Sequence, residues 1–102
     1  MKEIRMSSQF KKDFKRYRND IDKVKALYRI VGYLERGEQI PSQFKPHMLK
    51  GELKGVMECH VESDYLLMWI DETTNIVRLL RLGTHAEILG MLNCLYDSPY
   101  KV

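Results

Sequence analysis

Cysteine is scarce and poorly placed for cross-linking. The chain has two, Cys59 and Cys94, in no CxxC spacing, which speaks against a disulfide framework and a thiolate metal site. Cys59 falls in a strand pattern and Cys94 in an apolar tail, so both are expected as buried free thiols. No apolar run reaches the length of a membrane span, and the charged N-terminus lacks the apolar block of a secretory signal. A cytoplasmic location is the expectation. The glycines are scattered and build no Walker or Rossmann phosphate loop, and no serine sits in a nucleophile elbow. Repeats, linkers and low-complexity stretches are missing too. A chain of 102 residues is therefore expected to fold as one domain, residues 1–102, around one modest core. Acidic residues are thin at the N-terminal end: residues 1–36 hold 11 of the 17 Lys and Arg but only Glu3, Asp13, Asp20, Asp22 and Glu35. That asymmetry fits either a polyanionic or acidic partner or a solvated helical face.

The pattern that remains reads as α+β. Residues 2–6 alternate apolar with charged side chains, as an edge strand does. Ser7 or Ser8 can cap a helix carrying Phe10, Phe14 and Tyr17 at helical spacing, and such an aromatic stripe is expected as core. Lys11, Lys12, Lys15, Arg16 and Arg18 fall largely off the stripe. Asn19-Asp20 breaks this helix and caps a second, whose apolar repeat runs Ile21, Val24, Leu27, Tyr28, Val31, Leu34 and stops at Gly37. So short a turn predicts an antiparallel helical hairpin. Lys23 extends its basic surface. Residues 38–50, with Pro41 and Pro46, read as a loop ending near His47. A strand is expected from Glu52 to Val61, with Gly55 marking a bulge or a close backbone approach. Residues 65–70 and 76–82 are nearly continuous apolar strands around the polar turn 71–75. Thr84 can cap a short helix from His85, extended by Leu92, Leu95 and Tyr96 and ended by Pro99. The expected architecture is a small curved antiparallel sheet, made of the N-terminal strand and three C-terminal strands, packed against the helical hairpin.

Antiparallel pairing of the last two strands brings the start of one beside the end of the other. Asp64 and His85 therefore meet at one end of a hairpin. The chain's three histidines, His47, His60 and His85, can all lie at that end of the sheet. Imidazole exchanges protons near neutral pH. RNA cleavage by the 2′-hydroxyl needs a base, an acid and cations for the added phosphate charge. The histidines with Asp64, Lys50, Lys54 and Arg81 supply that set. Each also has a plainer role: a histidine at a strand end as a hydrogen-bonded surface residue, Asp64 as a turn cap, Arg81 as a solvated strand residue. No compact His-x-His or His-x3-His spacing favours a metal, and no cofactor is expected.

Three blocks carry a resemblance. Pro-His-Met-Leu-Lys-Gly (46–51), Glu-Cys-His-Val-Glu-Ser-Asp-Tyr-Leu-Leu (58–67) and Leu-Gly-Thr-His-Ala-Glu-Ile-Leu (82–89), with the N-terminal Phe-Lys-Lys-Asp-Phe-Lys, resemble the RelE/ParE-like toxins of bacterial toxin–antitoxin pairs, most closely the YafQ subgroup. The resemblance spans nearly the whole chain. It implies a type II toxin that cuts mRNA in the ribosomal A site and is blocked by a cognate antitoxin. It places the active site on His47, His60, Asp64 and His85, with an acidic position at Glu58 and a base-contacting position at Leu89. Ribosomal RNA then becomes a partner for Lys11, Lys12, Lys15, Arg16 and Lys23. The chain departs from the subgroup at Leu89, often an aromatic suited to base stacking, at Glu58, more often Asp, and at Tyr65, frequently Trp. Two other functions share this fold: a ParE-like gyrase inhibitor that acts by binding, and a degenerate toxin kept as an antitoxin-binding module.

Overall fold

The structure is a computed structural model and describes residues 1–89, the side chain of Leu89 excepted. The expected continuation of the last helix through Leu92, Leu95 and Tyr96, together with Cys94 and Pro99, lies outside the described residues. The elements run β1 (Glu3–Met6), α1 (Ser8–Tyr17), α2 (Ile21–Arg36), β2 (His47–Met48), β3 (Met57–Glu62), β4 (Tyr65–Thr73), β5 (Ile76–Gly83) and α3 (His85–Leu89). Single 3-10 turns occupy Ser42–Phe44 and Gly51–Leu53. The α+β architecture is the one the sequence predicts.

Local chemistry sets the helix ends. Ser7 Oγ accepts from the Phe10 amide and donates to the Leu80 carbonyl, so one hydroxyl caps α1 and ties it to the sheet. Asp20 caps α2 by accepting from the Lys23 amide, and Gly37 closes it. The buried stripe of α2 is Leu27, Ile30 and Leu34, rotated from the predicted one: Ile21 and Tyr28 are 67% and 65% exposed. Ile30 rather than Tyr28 lies one turn from both Leu27 and Leu34 on the face turned to the sheet.

The five strands are ordered β1-β5-β4-β3-β2. Pairing is antiparallel throughout except at β1, which runs parallel to β5 with Glu3 opposite Ile76 and Met6 opposite Leu79. The sheet is thus mixed, and it has one more strand than expected. No tight turn joins β1 to its neighbour, so nothing forces the antiparallel sense that a hairpin imposes. The extra strand comes from the segment read as loop: His47 and Met48 pair with Glu58 and Met57. The strand expected from Glu52 starts only at Met57, because residues 50–55 form the tip of the β2–β3 hairpin, closed by the Leu49 amide on the Val56 carbonyl. Gly55 serves that tip through a φ of 99°, and a Cβ there would touch nothing within 4 Å, so it marks a left-handed turn rather than a close approach.

Helix α1 packs on β5 and α2 on β3. Phe10, Leu27, Ile30 and Leu34 meet Cys59, Val61, Tyr65, Leu67, Trp69, Val77, Leu79 and Leu82 in the main core. Each such side chain removed from water contributes about 1.5–3 kcal/mol. Val56, Leu66, Met68, Leu80 and Ile88 form a smaller cluster of their own. This explains the unbroken apolar run of β4: Leu67 and Trp69 serve one cluster, Leu66 and Met68 the other. Among the described residues, no helix is long and apolar enough to cross a membrane.

Candidate active site

Two chain reversals build the site. At the first, β3 ends in a bulge between His60 and Glu62, and Ser63-Asp64 turns the chain into β4. At the second, Gly83 ends β5 opposite Leu66, and Thr84 caps α3. The β4–β5 register sets the turns side by side. The Asp64 carboxylate Oδ1 accepts from the His85 backbone amide at 2.9 Å and lies 2.7 Å from the His85 Nδ1. The His60 ring centre is 5.7 Å from that of His85, with the planes inclined at 58°. His60 Nδ1 faces the Ser63 carbonyl at 3.3 Å.

These contacts assign the ring nitrogens. Carboxylates and carbonyls only accept, so Nδ1 of His60 and of His85 carries the proton, and Nε2 remains for proton exchange. Asp64 is held below the usual carboxylate range, first by the His85 backbone N–H and then by the His85 side chain, and it stays ionised beside the imidazole.

His47 takes a different place. Its Nε2 lies 3.3 Å from Glu58 Oε1 and its Nδ1 2.8 Å from the Lys45 carbonyl. Both nitrogens thus face oxygen atoms of the protein. His47 stands opposite Glu58, and Glu58 and His60 are two residues apart on β3, so all three share one face of the sheet. The structure therefore brings His60, Asp64 and His85 into one group and sets His47 with Glu58 beside it.

The cations expected near this group are sorted differently. Arg81 is 1% exposed, and its guanidinium is directed at Asp13 of α1, Nε to Oδ2 at 2.8 Å and Nη2 to Oδ1 at 3.2 Å. Neither a solvated strand residue nor a phosphate contact, it is a structural tie. The cause is the placement of α1 on β5, which sets Asp13 against it; beside Arg81 the β4–β5 ladder is irregular, with Met68 paired to Arg81 and Trp69 to Leu79 and Leu80 left as an extra residue. Lys50 and Lys54 are exposed on the β2–β3 hairpin tip, at the end of β3 away from Asp64. From His60 back to Met57 the strand runs about 10 Å at ~3.3 Å per residue, and both lysines lie beyond it. Lys11, Lys12 and Lys15 are exposed on α1. Arg16 and Lys23, expected in the same basic surface, are joined to acids: Arg16 to Glu87 at 3.0 Å and Lys23 to Glu62 at 2.9 Å. The Leu89 side chain lies outside what the structure describes. Cys59 is a buried free thiol on the core side of β3, pushed up to about 12 by burial and then by the Glu58 charge, and is no nucleophile.

Glu87 escaped the sequence reading, although Thr84-x-x-Glu87 has the spacing of a capping box. The Thr84 amide donates to Glu87 Oε1 at 2.8 Å and the Glu87 amide to Thr84 Oγ1 at 3.2 Å. Gly83 makes room for this arrangement: a Cβ there would lie 2.6 Å from Glu87 Oε1. Asp13, buried inside a lysine-rich helix, was missed as well. Among the described residues, no group of three or more His, Cys, Asp and Glu is arranged to hold a metal ion.

A family model, "Bacterial toxin of type II toxin-antitoxin system, YafQ", matches residues 2–90. The chain is 33% identical over 92 residues to the mRNA interferase toxin YafQ of Escherichia coli K12, covering 87% of this chain and 97% of that one. It superposes with a TM-score of 0.77 on a metal-bound toxin from Helicobacter pylori, 37% identical over 86% of this chain and 99% of the other. It likewise matches a chain of the E. coli DinJ–YafQ toxin–antitoxin complex with a TM-score of 0.76, at 31% identity over 87% of this chain and 98% of that one. Shared sequence over nearly the full length and a shared fold agree, and the chain belongs to the YafQ family of bacterial toxins from type II toxin–antitoxin systems.

Proposed function

We propose that this toxin is an endoribonuclease that cuts ribosome-bound mRNA by acid–base chemistry on its own histidines. Family membership supports the mRNA interferase activity. The observation that carries the mechanism is the group formed by His60, His85 and Asp64 at the sheet end. In the proposed reaction the RNA 2′-hydroxyl attacks its adjacent phosphorus. One imidazole Nε2 takes the hydroxyl proton as the P–O2′ bond forms. The other imidazole, protonated, gives its proton to the 5′-oxygen as the P–O5′ bond breaks. The products are a 2′,3′-cyclic phosphate and a 5′-hydroxyl. Rings centred 5.7 Å apart suit the attacking and leaving oxygens of one phosphodiester. Asp64 holds the His85 tautomer and offsets the charge when that ring is protonated. His47, between Glu58 and the Lys45 carbonyl on the same sheet face, contacts the phosphate as negative charge builds on it in the transition state. This route has all its proton transfers served by side chains and calls on no metal.

The same reading assigns the surroundings. Lys50 and Lys54 on the hairpin tip meet phosphates flanking the scissile one, and Leu89 packs on a base. Lys11, Lys12 and Lys15 dock on ribosomal RNA. A cognate antitoxin restrains the toxin in the cytoplasm, as DinJ is bound to YafQ in the E. coli complex. The test is primer-extension mapping of a translated message after brief expression. His85→Ala and His60→Ala should each reduce cleavage by roughly 10²–10⁴-fold while the protein still folds. Full cleavage in both variants removes the mechanism. Intact message with blocked DNA supercoiling replaces it with gyrase inhibition.

A further inference from the structure

His85 opens α3, one residue after β5 ends at Gly83, so no preceding helical turn holds its side chain still. What fixes it is a set of contacts from the other end of the sequence. The Glu87 carboxylate accepts from the Thr84 amide at 2.8 Å, and α1 holds that carboxylate from outside: the Tyr17 hydroxyl donates to Oε1 and Arg16 lies 3.0 Å from Oε2. Burial alone raises the affinity of Glu87 for a proton, but the Tyr17 hydroxyl, the Thr84 amide and the Arg16 charge outweigh it, and the carboxyl sits below its usual range. The same tyrosine reaches the other half of the site. Its ring centre lies 4.8 Å from that of Tyr65, the residue that follows Asp64.

We propose that Glu87, gripped by Tyr17 and Arg16, is a positioning residue that fixes the His85 backbone so that its imidazole meets the Asp64 carboxylate. Tyr17 is the shared strut, bearing on the segment of His85 through Glu87 and on the segment of Asp64 through Tyr65. The proposal rests on the acid–base reading above for its kinetic arm only. It also accounts for Arg16: the guanidinium is half-exposed, yet its charge is directed at Glu87.

The test compares Glu87→Ala, Glu87→Gln and Tyr17→Phe in the full chain, with thermal melts to confirm folding. Glutamine keeps a side-chain oxygen that can accept from Thr84 and Tyr17. The first readout is the His85 ring-nitrogen NMR shift at fixed pH, which reports the Asp64 contact without any assay of cleavage. The expectation is a displaced His85 shift in Glu87→Ala and Tyr17→Phe and a near-wild-type shift in Glu87→Gln. The second readout is cleavage of a translated message, where Glu87→Ala should lower kcat about tenfold with KM unchanged and Glu87→Gln should stay within about twofold of the wild type. An unmoved His85 shift in Glu87→Ala overturns the proposal, as does a Glu87→Gln variant as impaired as the alanine. If Glu87→Ala does not fold, an unmoved shift in Tyr17→Phe decides against it. A wild type that cuts no message defeats the proposed function, while the NMR arm still judges the positioning.

Discussion

Replacing Asp13 by alanine should be among the most damaging single changes in this protein, although it deletes a charged residue from a charged helix. Asp13 and Arg81 are 0% and 1% exposed. The carboxylate takes two guanidinium contacts and also accepts from the Leu82 amide at 3.0 Å and the Gln9 side chain at 3.1 Å. Breaking a buried ion pair by removing one partner costs about 3–5 kcal/mol. Stranding the Leu82 amide adds about 1–3 kcal/mol, partly overlapping. A net loss of about 4–6 kcal/mol follows, against a total stability on the order of 5–15 kcal/mol for a domain this size. At ~4–8 °C per kcal/mol, the midpoint of melting should fall by at least about 15 °C. Trp69 is the single tryptophan and 3% exposed, so its fluorescence reports urea unfolding directly. The double variant Asp13→Leu with Arg81→Met removes both charges and keeps apolar volume. It should lose only about 1–3 kcal/mol, less than Asp13→Ala alone, since apolar replacement of a whole pair is often neutral. Production in a His85→Ala background separates stability from toxicity. An Asp13→Ala variant within about 1 kcal/mol of its parent, or a double variant no more stable than that single, would show that the buried pair does not tie α1 to the sheet.

Two further outcomes follow from the site and its surface. Asp64 has a lowered folded value, so its share of stability is present above the unfolded carboxylate range and is lost only as pH falls through that lowered value. Carbon NMR should find it titrating below the ordinary range, and still below it in His85→Ala, because the backbone N–H is the larger cause; a midpoint at or above the ordinary range contradicts the geometry. Reversing Lys11, Lys12 and Lys15 to glutamate should lower the salt dependence of ribosome binding by roughly one unit of slope per lysine. Pelleting at two ionic strengths checks this, and unchanged binding would remove α1 as the docking face.

Features that depend on neighbours in sequence were readable from it. Asp20 and Gly37 end α2 because a cap needs only a side-chain oxygen or a left-handed residue at the right place. The meeting of Asp64 with His85 follows from one antiparallel hairpin whose two strands could be delimited by hydropathy. Partnerships across the fold were not readable. Asp13 looks like one acid offsetting several lysines, and only the placement of α1 on β5 delivers it to Arg81, 68 positions away. Arg81 itself looks solvated until its partner on α1 is known. The parallel sense of β1 and the two-residue β2 carry no periodic signal, since β2 is too short to show alternation and β1 has no turn to its partner. The capping box at Thr84 and Glu87 could have been found by spacing alone. Its grip by Tyr17 could not.

The place of β5 in the sheet bears on when the site of this toxin can form. This strand lies between β1 and β4, yet it follows both in the chain. Until residue 83 has emerged during synthesis, the first strand has no mate, α1 has no surface to settle on, and Asp13 has no cation to meet. A growing chain thus carries every histidine but His85 without the framework that aligns them. Assembly of the site is then a product of strand order, with the last strand acting as the keystone.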